Sequence, residues 1–164
     1  MDIAVVTGIF SNVPYDWLVF GGITLLIALD SLRSGIGRAS SIALSLPIAG
    51  ILYELLSKTA GISSITALTA SPAAQAGTFA VVALASYLLV RRIALEYIES
   101  GVGEPVQALL AGCAATVVII VVWLHVPVLE PIWHLSDKVH VIFSESYRLI
   151  WLMGAYLALA FARG

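Results

Sequence analysis

Five apolar stretches, separated by short polar breaks, occupy most of this chain and decide its solvent. They cover residues 17–32, 39–56, 77–92, 106–126 and 147–162. A helix rising 1.5 Å per residue needs about 20 apolar residues to cross roughly 30 Å of hydrocarbon, and these runs approach that length. The fourth is the clearest, since residues 106–124 hold no charged side chain. The third runs into Arg91 and Arg92, whose long side chains can snorkel and let a helix continue. Transmembrane strands would alternate in polarity over about ten positions, whereas these runs are apolar on every side. The expected fold is an all-α bundle of about five transmembrane helices, forming one membrane domain over residues 1–164.

Charge agrees with this reading. Only 11% of residues are charged, where a soluble domain carries roughly a quarter. Eight Lys/Arg against ten Asp/Glu leave a formal net charge of −2 and no basic patch for nucleic acid. The first fifteen residues are apolar but lack a basic n-region, which suits an interfacial lead-in better than a cleaved signal peptide. The lone cysteine, Cys113, reads as a small packing residue.

The breaks carry the topology. Basic residues collect on the cytoplasmic side of short loops. Placing 29–40, 91–105 and Arg163 inside sets five basic residues there against three outside. The amino terminus then lies outside and the carboxyl terminus inside. Residues 57–76 hold only Lys58 and read either as a re-entrant segment buried against the bundle or as a solvated loop. Residues 133–143 read as an amphipathic surface helix, with Trp133, Val139 and Phe143 toward the bilayer and Asp137, Lys138 and His140 toward water.

Ionisable groups within a span are costly and default to functional candidates. Asp30 ends the first run with Arg33 three residues on, a spacing that allows a local ion pair; a proton or ion role is the alternative. Glu54 stands four residues before Lys58, the favourable order for a helix pair. His125, His134 and His140 lack the spacing of a helical zinc site, and no nucleophile triad or phosphate loop stands out. No enzyme activity, metal or cofactor is expected.

Small residues are the better signal. Ala108, Gly112 and Thr116 stand at four-residue steps, with Ala111 and Ala115 alongside, and Ala76, Ala80 and Ala83 form a looser row. Such rows let membrane helices approach closely, within one chain or between subunits. Ser41 and Ser45 precede Pro47, which should kink its helix or free a carbonyl for a serine to satisfy.

The run from Asp16, followed by an apolar helix and then Ser31, Leu32, Gly35 and Arg38, resembles the start of the colicin V production protein family. That family opens with an acid before its first span and a Ser-Leu-x-x-Gly-x-x-Arg turn after it. The Gly-rich lead-in from Gly101 through Glu104 to Gly112 is similar to the approach to the family's last core helix. The chain departs from the pattern at Ala39, where the family has an acid, and at Ala114 and Ala115, where it has an Arg-Gly pair. The resemblance implies a bacterial inner-membrane protein linked to toxin export or envelope upkeep, with no catalytic residues to carry over.

Two functions are thereby expected. The first is a non-enzymatic scaffold subunit, in a homo-oligomer or with other membrane subunits in the lipid bilayer. The second is a conduit for an ion or small molecule, which needs Asp30, Glu54, Ser40, Ser41, Ser45, Thr24 and Thr116 to face one wetted cavity.

Overall fold

The computed structural model describes residues 14–58, 71–94 and 104–162. Helices are α1 (Tyr15–Ser34), α2 (Gly37–Lys58), α3 (Pro72–Ala94), α4 (Pro105–His125), α5 (Asp137–Ile142) and α6 (Arg148–Ala162). The lead-in over 1–13, the segment 59–70, Gly101, Glu96, Glu99 and Arg163 lie outside the described residues. The chain is an all-α membrane protein: α1, α2, α3 and α4 are long and apolar enough to cross a bilayer.

Local chemistry explains the helix ends. Pro14 and Pro105 precede or open α1 and α4, where a missing N–H costs nothing. At α4 the Gln107 side chain accepts the Glu104 N–H at 3.4 Å. α3 starts five residues earlier than its apolar run, because Ser71 Oγ accepts the Ala74 N–H at 3.2 Å and Pro72 follows it. The Ala-rich stretch that follows is a strong helix former without being strongly apolar, which hides it from a hydropathy reading. Arg91 and Arg92 fall inside α3, which continues to Ala94. Between α1 and α2, Gly35 adopts φ 81° and ψ 161°, a region essentially reserved for glycine, and reverses the chain.

The fifth run differs from expectation. α6 has 15 residues, about 22 Å at 1.5 Å each, and falls short of the hydrocarbon thickness. A break over 143–147 separates it from α5, and α6 side chains satisfy carbonyls at α5's end. Trp151 Nε1–H donates to the Ile142 carbonyl at 2.9 Å, and Arg148 Nε–H donates to that of Phe143 at 3.4 Å.

α4 is the hub, packing on α1, α2 and α6, while α2 also holds α3. Much of α4 is buried, whereas little of α3 is. The core is built on small residues: Ala39, Ala43, Ala111, Ala114 and Ala115 meet Val118, Val122, Ala155 and Leu159. Cys113 is exposed and points away from this core, so it is not the packing residue expected of it. Ala80 is likewise exposed on α3.

Candidate functional site

A polar contact joins α1 and α4 along their seam. The two helices run antiparallel, since Thr24 meets Thr116 while Ala28 meets Gly112. Ala108, Gly112 and Thr116 are all buried, on the face of α4 that turns toward the bundle. A Cβ built on Gly112 would lie 2.6 Å from the Thr24 carbonyl oxygen and 3.1 Å from Ala28 Cβ. Only glycine permits that approach. It allows Thr24 Oγ1–H to donate to Thr116 Oγ1 at 2.8 Å, while Thr116 donates to the Gly112 carbonyl at 2.9 Å.

At one end of the seam, Asp16 is buried in α1's first turn, where the helix dipole favours a carboxylate. Its Oδ2 accepts the backbone N–H of Ser136 at 2.7 Å, a charge-assisted bond across 120 residues. This tether corrects the expectation for 133–143. The helix there is only Asp137–Ile142, and Val139 and Phe143 are 0% and 3% exposed. They pack on Phe20, Ile120 and Val121 rather than on lipid, because Asp16 draws the segment into the bundle. Asp137, Lys138 and His140 are exposed, on the expected side. In the same cluster the Phe20, Trp133 and Trp123 rings touch in succession, tilted and then edge to face, and Trp123 Nε1–H donates to the Trp133 carbonyl at 3.3 Å.

The opposite end is the turn carrying Ser31, Gly35 and Arg38. Asp30 pairs with Arg38 at 2.9 Å, not with Arg33, which is exposed and has no counter-ion among the described residues. The reversal at Gly35 brings the first turn of α2 back over the last turn of α1, so the useful spacing is eight residues rather than three. Ser34 Oγ–H also reaches Asp30 Oδ1 at 3.5 Å. Ser31 is fully buried with its hydroxyl unpartnered among the described residues.

Glu54 stands apart. It pairs with Lys58 at 2.6 Å at the far end of α2, and both side chains are more than half exposed. Ser41 and Ser45 are buried but donate to their own helix, to the Gly37 carbonyl at 2.8 Å and the Ile42 carbonyl at 3.0 Å. Thr24 donates to Thr116, which in turn donates to the Gly112 carbonyl. Among the described residues these groups enter separate contacts.

Pro47 supplies the contact that sequence reasoning assigned wrongly. It lies inside α2 and has no N–H for the Ala43 carbonyl four residues before it. That carbonyl is taken by neither serine. The Tyr156 hydroxyl donates to it at 3.1 Å from α6. Pro47 was the available signal for an orphan carbonyl; nothing in the local sequence pointed to a tyrosine 113 residues away as its donor. Asp16, too, gave no sign in the sequence that it ties down a segment beyond α4.

No family model, curated protein or solved structure matches this chain.

Proposed function

We propose that this protein is a non-enzymatic, multi-pass structural subunit of a membrane assembly, either a homo-oligomer or a partner of other membrane subunits. The observation that supports this reading is the division of labour between polar and apolar groups. Inside the bundle, polar side chains join separate elements at Thr24–Thr116, Tyr156–Ala43 and Asp16–Ser136, while Ser41 and Ser45 bond within their own helix. Outside it, α3 turns Val81, Leu84, Leu88 and Ile93 away from the core and is held by α2. A helix so weakly covered by its own chain has surface to spare for another helix.

Within this proposal the chain sits in a bacterial inner membrane with its amino terminus outside. If α1 to α4 cross in turn, Arg33, Arg38, Arg91 and Arg92 share the inner face, as the positive-inside tendency favours. The likeness of the α1–α2 turn to the colicin V production family supports a place in toxin export or envelope upkeep. The Asp30–Arg38 clamp over Gly35 is a physical reason for a Ser-Leu-x-x-Gly-x-x-Arg pattern at that turn.

Extraction from the native membrane in mild detergent, with particle size and co-eluting proteins measured together, tests this. A particle of several identical copies, or one holding other proteins at fixed ratio, supports it. A partnerless monomer sinks it, and ion or solute flux abolished by Asp30→Asn or Glu54→Gln with assembly intact would favour the conduit instead.

A further inference from the structure

Beyond α4 the chain forms a small hollow that the packing reading does not use. Trp123, Pro127, Glu130, Trp133, Leu135 and His140 contribute to its lining, and its volume is about 30 Å³. The two indole rings meet edge to face, with centroids 5.9 Å apart and planes at 70°, so they form a corner rather than a flat stack. The bond from Trp123 Nε1 to the Trp133 carbonyl fixes one wall of it. Glu130 has no cationic partner among the described residues. Its position after the last turn of α4 puts it at headgroup depth, where tryptophans are at home.

Electron-rich aromatic walls and an unpaired carboxylate together recognise an organic cation. A volume of about 30 Å³ has room for one or two water-sized groups, as a single ammonium is. Hydrogen bonding then selects among cations. A primary ammonium donates hydrogen bonds to the carboxylate, which a quaternary one cannot. We infer that Trp123, Trp133 and Glu130 form a binding site for a primary ammonium group, supplied either by an aminophospholipid headgroup or by a free amine. This inference stands independently of the scaffold reading, since it needs only a membrane position for α4.

Native mass spectrometry of the protein extracted from bilayers of equal phosphatidylethanolamine and phosphatidylcholine reads the site directly. The unaltered chain should retain phosphatidylethanolamine over phosphatidylcholine by about fivefold, the worth of roughly one hydrogen bond that the quaternary headgroup cannot donate. Glu130→Gln, an exposed and nearly isosteric change, should bring that ratio toward one. Asp137→Asn removes a neighbouring exposed carboxylate outside the hollow and should leave the ratio unchanged. In lipid-free detergent, millimolar ethanolamine that alters tryptophan fluorescence only when Glu130 is present would identify a free amine as the source and equally support the site. Equal retention of both lipids by all three proteins, with no response to ethanolamine, overturns it and leaves the hollow to water. Equal loss of selectivity in both acid variants also overturns it, because general surface charge would then explain the preference.

Discussion

Replacing Gly112 by alanine tests the close approach on which the α1–α4 seam depends. The new Cβ would sit 2.6 Å from the Thr24 carbonyl oxygen, where an ordinary C···O contact needs about 3.3 Å. Backbone cannot swing aside as a side chain tip can, so α1 must retreat by roughly 0.7 Å along its contact with α4. The Thr24–Thr116 bond, 2.8 Å in the native chain, would then stretch to about 3.5 Å and lose most of its strength. Overpacking of this kind costs about 1–3 kcal/mol, with an interhelical hydroxyl bond in lipid accounting for about 0.6 of it. Against this, alanine gains up to about 1 kcal/mol over glycine as a helix former, so a net loss of about 0–2 kcal/mol is expected, or about 1–3 kcal/mol relative to control glycines that share the gain. Gly22, Gly77 and Gly154 are the internal controls, since a Cβ on any of them meets nothing within 4 Å. Their alanine variants should be neutral or slightly stabilised. Unfolding in mixed micelles with rising sodium dodecyl sulfate, followed by loss of helical circular dichroism, ranks all four. If Gly112→Ala proves as stable as Gly77→Ala, α1 and α4 are not in the contact described, and the seam falls with it.

Three further outcomes follow from the same geometry. Tyr156→Phe should cost about 1 kcal/mol by leaving the Ala43 carbonyl without a donor, and the cost should shrink in a Pro47→Ala background, where residue 47 regains its own N–H; an additive double-mutant cycle refutes the link. Asp16→Ala removes the acceptor of the Ser136 N–H and should speed amide exchange through Val139 and Phe143 at a cost of about 1–3 kcal/mol; unchanged exchange there means another contact holds the segment. Asp30→Asn and Glu54→Gln should each shift stability by no more than about 1 kcal/mol, because both carboxylates are in exposed pairs; a larger loss at Asp30 would show that the clamp over Gly35 holds the turn closed.

The legibility of each feature depended on how local its cause is. The row Ala108, Gly112 and Thr116 is visible because helical spacing alone puts small residues on one face, though nothing local says that Thr24 and Ala28 would meet them. Glu54 and Lys58 form the pair that their spacing favours. Asp30 misled for a related reason: the i, i+3 rule assumes that the helix is the whole environment, and a glycine turn brought Arg38 within reach instead. The 133–143 segment misled more deeply. Its amphipathic pattern is real, but an apolar face fits a protein core as well as a bilayer, and pattern cannot choose between them.

Apolar runs of membrane-crossing length determined by themselves that the chain is helical and lives in a membrane, because lipid offers backbone groups no other partner. Proline, glycine and serine placed most of the helix ends for equally local reasons. The tertiary structure alone decided that α4 is the hub, that α6 stops short, and that Tyr156 serves the carbonyl freed by Pro47. Each of these rests on a bond or contact between residues far apart in the chain, and the energy of such a contact appears only when the fold has brought both partners together.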